Sequence, residues 1–109
     1  MVKKGVSGCE GIKEEFLKNE CYGQVAVKSG DVSDCERIED GLIKDECYVK
    51  VVAKSGDVSI CEKIEEEFLK NECYGQVAVK SGDVSICERI KDGLIKDVCY
   101  EKTKRVTVD

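Results

Sequence analysis

The sequence predicts an all-α fold, a short α-solenoid of four disulfide-stapled helix-turn-helix repeats, and three observations carry that prediction. Eight cysteines recur with separations alternating 12 and 14, which sets a 26-residue period. Each period contains Ser-x-x-Glu, a pattern that caps helix starts. Apolar residues then follow at i, i+4 and i+8, the spacing of a helix buried on one side.

The cysteines are Cys9, Cys21, Cys35, Cys47, Cys61, Cys73, Cys87 and Cys99. They divide a single domain, 1–109, into units of about 7–32, 33–58, 59–84 and 85–109. The full period that starts at Cys9 and the one that starts at Cys61 differ only at Gly11/Lys63, Lys13/Glu65 and Asp34/Ile86. The other two units share a distinct pattern, Cys-Glu-Arg-Ile-x-Asp-Gly-Leu-Ile-Lys-Asp-x-Cys-Tyr. Duplication of a 52-residue, two-unit block explains both facts.

Within a unit, a first helix of about two turns is expected to begin at Ser7, Ser33, Ser59 or Ser85, with Glu10, Glu36, Glu62 or Glu88 completing the cap. In the third unit its apolar face comprises Val58, Cys61 and Ile64. Asp-Gly at Gly41 and Gly93 predicts a tight turn before the second helix, whereas Glu-Glu in the odd units predicts a looser one. The second helix carries Leu69, Cys73 and Val77, flanked by Phe68, Tyr74 and Ala78. It ends at Gly30, Gly56 or Gly82, each supplying a left-handed cap, with Lys80 well placed in the last turn of its helix. No single unit buries such a stripe alone, so the units are expected to stack.

The chain opens with Val2-Lys3-x-Gly5-Val6-Ser7, which imitates the junction Val79–Ser85 minus one residue and reads as the remnant of an earlier unit. At the other end, Val51-Val52-Ala53 becomes Thr103-Lys104-Arg105, which predicts a terminal helix whose apolar face has turned polar toward water.

Composition narrows function. Lysine and arginine number 18 against 23 acidic residues, a net charge of −5, so no nucleic-acid partner is expected. Apolar runs are no longer than Val51-Val52-Ala53, so no membrane span is expected, and the basic start Met1–Gly5 precedes no apolar segment of a signal peptide. The chain has no histidine. That removes the commonest general base and metal ligand, and the expectation is a non-enzyme without cofactor.

Pairing Cys9 with Cys21, Cys35 with Cys47, Cys61 with Cys73 and Cys87 with Cys99 uses every cysteine, whereas pairing across junctions strands both ends. In an antiparallel hairpin, Cys61 and Cys73 also stand at similar distances from the turn. Sequence still leaves 105 connectivities formally open. Persistent disulfides imply an oxidising compartment, secreted or cell-surface, or the cytoplasm of a hyperthermophile. The lysine- and glutamate-rich composition, with two asparagines and two glutamines, favours the latter. A thiolate metal site is the rival reading of the cysteines, although no Cys-x₂₋₄-Cys knuckle is present and no metal ligand is assigned.

Tyr22, Tyr48, Tyr74 and Tyr100 each follow a second cysteine and form a candidate ladder for a peptide, against a reading as packing residues between units. Acidic positions such as Glu39 and Glu65-Glu66-Glu67 read as solvated helix faces, since Lys13 and Lys91 fill the position of Glu39 and Glu65 in the other units. Val98 replaces the glutamate of the other units, and Arg105-Val106-Thr107-Val108 alternates in polarity, so a self-association patch stands against a frayed terminus.

Asp-Val-Ser-Ile-Cys-Glu-x-Ile followed by Lys-Asn-Glu-Cys-Tyr resembles the short cysteine-paired helical repeats of uncharacterised archaeal proteins, over essentially the whole chain. The plan is similar to tetratricopeptide and Sel1-like arrays, whose period is longer and whose signature residues are missing here. The family resemblance specifies a fold and implies no activity; analogy with those arrays gives the expectation of a scaffold for a protein or peptide, and a monomer or weak homodimer is expected. Near-identity of the units equally suits a structural or designed array with no natural ligand.

Overall fold

The structure, a computed structural model, describes residues 6–107, with the side chains of 8–104. The described chain is helical throughout and contains no strand. Five α-helices run in order: α1 (Val6–Glu10), α2 (Glu15–Ser29), α3 (Gly41–Ser55), α4 (Glu67–Ser81) and α5 (Gly93–Thr107). Short 3₁₀ helices at Val32–Arg37, Val58–Lys63 and Val84–Arg89 precede α3, α4 and α5.

The first helix of the later units is therefore a 3₁₀ helix, and its cap differs from the expected one. Asp31, Asp57 and Asp83 cap it, their carboxylates accepting from the N–H groups of Ser33 (3.0 Å), Ser59 (3.1 Å) and Ser85 (3.0 Å). These caps start each unit two positions earlier than the serines do. The glutamate of Ser-x-x-Glu turns outward instead and binds the following unit: Arg37 meets Glu10 at 3.3 Å, Lys63 meets Glu36 at 3.7 Å, and Arg89 meets Glu62. The serine signal thus marked the right segment through the wrong partner. The unit's start is set one turn-former upstream, because Asp two positions before a donor closes a tighter ring.

The predicted difference between tight and loose turns is absent. Asp40 and Asp92 cap α3 and α5 by accepting from Ile43 and Ile95 N–H at 3.0 Å, while Glu14 and Glu66 cap α2 and α4 through Leu17 and Leu69 N–H at 3.2 and 3.1 Å. Glutamate reaches the same N3 donor that aspartate does, so the second, third and fourth units all turn through a three-residue link. Gly41 and Gly93 are simply the first helical residues. The glycines that need their freedom are Gly30, Gly56 and Gly82, at φ of 77°, 75° and 72°, whose N–H groups return to Ala26, Val52 and Ala78 carbonyls.

Cys9 joins Cys21, Cys35 joins Cys47, Cys61 joins Cys73 and Cys87 joins Cys99, with Cα separations of 5.5 to 5.7 Å. Each bond ties a short helix to the long helix of its own unit. Each 3₁₀ helix packs against the long helices before and after it, and consecutive long helices pack on one another, in an array 50 × 26 × 17 Å. The core is correspondingly thin and continuous. It holds Ile38, Ile64 and Ile90 from the links, seven of the eight half-cystines, and Ala26, Val51, Val52, Val77 and Ala78.

Among the residues whose side chains are described, the terminal helix follows the polar expectation at Lys104 and departs from it at Thr103. Lys104 is exposed where Ala26, Val52 and Ala78 are buried, but Thr103 is buried in the place of Val51 and Val77. Its hydroxyl donates to the Cys99 carbonyl at 2.7 Å, so a residue chosen for polarity fits the core by satisfying its own hydroxyl within the helix. The Arg105–Val108 patch lies outside the residues whose side chains are described.

Asp34 stands buried where the later units have Ile60 and Ile86. Burial pushes its carboxyl above the ordinary value of 3.8, Asp31 adds to the rise, and Arg37 opposes it. A raised carboxyl in the folded state keeps a proton that the unfolded chain releases, so this residue's contribution to stability falls as pH rises through its folded value. Asp34→Ile is expected to remove that slope and to raise stability at neutral pH by about 1–2 kcal/mol. Urea unfolding of both proteins at about pH 4 and about pH 7 checks it; an equal pH dependence in the two would refute the assignment.

Candidate interaction surface

The tyrosine ladder does not face solvent. Tyr22, Tyr48 and Tyr74 are 6%, 4% and 5% exposed, and Tyr100 is partly buried against the core. The position directly after the second cysteine turns inward, so that the rings lie in or against the buried cluster. Tyr48 shows the consequence: burial, together with the carboxylates of Glu36, Asp45 and Glu65, raises its phenol above the usual 10.0.

A different set is exposed. Phe16, Leu42, Phe68 and Leu94 recur once per unit, each the second residue of its long helix, and each is between 54% and 75% exposed. The capping carboxylate two positions earlier fixes the helix start, and side chains in the first turn lean back toward the N-terminus, beyond the reach of the preceding unit. Phe68, expected on the buried stripe, thus stands outside it. The sequence did hold a signal for the ridge: one position of the period stays apolar in all four units yet falls off the i, i+4, i+8 stripe of Leu69, Cys73 and Val77.

Two grooves lie between long helices, one of about 620 Å³ between α2 and α3, the other of about 470 Å³ between α4 and α5. Phe16 closes one end of the first, and Lys28, Lys50 and Lys54 line it further along. The second is floored by Ile90 and Ile95 and edged by Val98 and Lys102. Asn19 and Asn71, equivalent residues of α2 and α4, line the respective grooves, each buried with an unpaired Oδ1. At the equivalent position of α3, Asp45 instead accepts from the N–H groups of Glu65 at 3.3 Å and Glu66 at 3.0 Å, clasping the next unit's link.

Every cysteine is oxidised, and among the described residues no three His, Cys, Asp or Glu side chains gather as a metal would require. No described helix is long and apolar enough to cross a membrane. Comparison with protein-family models, with curated proteins and with solved structures returned no significant match.

Proposed function

We propose that this chain is a non-enzymatic helical-repeat scaffold, its four units stacked in order as a short α-solenoid, that binds a protein through the ridge of Phe16, Leu42, Phe68 and Leu94. The observation carrying the proposal is the exposure of a large apolar side chain at the same position of every unit, the second residue of each long helix. Scattered surface leucines need no explanation, but four at a fixed step form a continuous apolar edge. Helices in contact stand about 8–10 Å apart, which sets the step of the ridge. Two turns of a partner helix span about 10.5 Å, so successive i, i+7 positions would meet successive units. Aromatic and leucine anchors of this kind are where binding energy concentrates.

The disulfides supply the rigidity such an edge needs, and they suit an oxidising compartment or a hyperthermophile cytoplasm. Replacing all four ridge residues by serine is expected to leave the helical circular dichroism and the disulfides unchanged. The same variant should lose, about tenfold or more, the proteins that the native chain retains from an extract of its source, read by quantitative mass spectrometry. Equal retention by the two chains sinks the ridge and favours a structural array without a ligand. The thiolate metal reading is separated by denaturing alkylation before reduction, in which eight modified thiols would support it and none would remove it.

A further inference from the structure

We propose that the groove between α4 and α5 is the contact surface of a homodimer, in which a second copy docks antiparallel across a twofold axis and sets its Val98 into the open wall at Gly75. Four features of the groove converge on this. Val98 is 43% exposed and stands where the other units carry Glu20, Glu46 and Glu72, so the apolar surface is specific to α5. Gly75 lies inside α4, where glycine is unfavourable relative to alanine, yet no atom lies within 4 Å of where its Cβ would be. The wall is open for no reason internal to the chain. Asn71, buried and lining the groove, has an unpaired Oδ1, and Glu72 and Lys102 supply opposite charges on the rim.

The register of the units shows that these features fit one another. The ion pairs between units, and Lys80 Nζ of α4 donating to the Ala53 carbonyl of α3, join residues 27 apart, one more than the 26-residue period, which fits consecutive long helices running parallel with equivalent residues nearly level. Val98 is then level with Glu72, and Lys102 with Gln76. A twofold axis perpendicular to these helices reverses the direction of the partner's. The axis that sets Val98 opposite the second copy's Gly75 also sets Lys102 opposite the second copy's Asn71, beside Glu72. One operation therefore fills the open wall and sets Lys102 beside the second copy's Glu72, above its buried Asn71.

The α2–α3 groove is the built-in control. It has the same open wall at Gly23, but Glu46 takes the place of Val98. The equivalent docking there would push a carboxylate into an apolar hole. Only one of the two grooves is self-complementary, which gives a closed pair and not a chain.

Sedimentation equilibrium of the oxidised protein from about 10 μM to about 1 mM tests this. A monomer–dimer equilibrium is expected for the native chain. Val98→Glu should raise the dissociation constant about tenfold or more with circular dichroism unchanged, since Val98 is at the surface. Lys102→Glu should weaken the dimer and Glu72→Lys in addition should restore it, whereas Glu46→Val should add larger species. A monomer throughout, a dimer indifferent to Val98→Glu, or a charge reversal that the second substitution does not rescue would each overturn the proposal.

Discussion

Reduction of all four disulfides is expected to unfold the protein at room temperature. Each bond closes a loop of about a dozen residues, for which the chain-entropy model gives a little under ~3 kcal/mol. Four contribute on the order of 10 kcal/mol, against a net stability of about 5–15 kcal/mol for a domain of this size. The thin core and six-residue 3₁₀ helices leave little to replace them, because a short helix held to its neighbour by one isoleucine and one half-cystine has no stable state of its own. Cys61→Ala with Cys73→Ala alone should cost about 3 kcal/mol. Loss of helical circular dichroism on reduction, and a lowered urea midpoint for the double variant, are the readouts. A reduced protein with native helicity and an unchanged midpoint would show that packing alone suffices. The bonds should also open in order. Cys21 is partly exposed while every other half-cystine is buried, so Cys9–Cys21 is the first pair that timed alkylation and peptide mapping should find reduced.

Asp45→Ala is expected to cost about 2 kcal/mol, well beyond an ordinary surface substitution. The Asp45 carboxylate, buried on α3, accepts from two consecutive amides of the link that leads into α4. Hydrogen bonds to a charged acceptor are stronger than neutral ones, and removing the acceptor leaves both donors to compete for water in a half-closed seam. Asp45→Asn should cost less, about 1 kcal/mol, since an amide keeps one acceptor oxygen in place. Urea unfolding measures the loss, and hydrogen exchange at the Glu65 and Glu66 amides locates it. Native protection of those two amides in Asp45→Ala would show that the clasp is ornamental. Because Asp45 joins units two and three, its loss should weaken the junction between the two copies of the duplicated block before either copy melts.

The legible part of this protein was the part written locally. The alternating 12 and 14 spacing marked the units and the cysteine pairs that the structure joins, and Gly30, Gly56 and Gly82 stop their helices as left-handed caps. Both depend on residues close along the chain, whose geometry a neighbour cannot easily change. The serine caps failed for a related reason: Asp31 and Ser33 compete for the same turn, and sequence pattern alone does not rank two cappers two positions apart. Glu66 and Asp40 look different as letters yet reach the same N–H, so a contrast drawn from composition vanished in three dimensions.

Burial was the property that the sequence left open. Tyr74 and Phe68 are both aromatic and both flank the apolar stripe, yet one is enclosed and the other 63% exposed. What separates them is the unit that packs alongside: it covers the middle of a long helix and leaves the first turn bare. Thr103 reverses the case, a polar residue enclosed because α5 is held by the same disulfide and isoleucine as its predecessors. The sequence by itself determined that this chain is helical, repeats a single short period four times and closes each unit with a sulfur bridge. Only the tertiary structure decided which apolar side chains remain on the outside, since exposure is a property of the neighbour that covers a face and not of the residue that forms it.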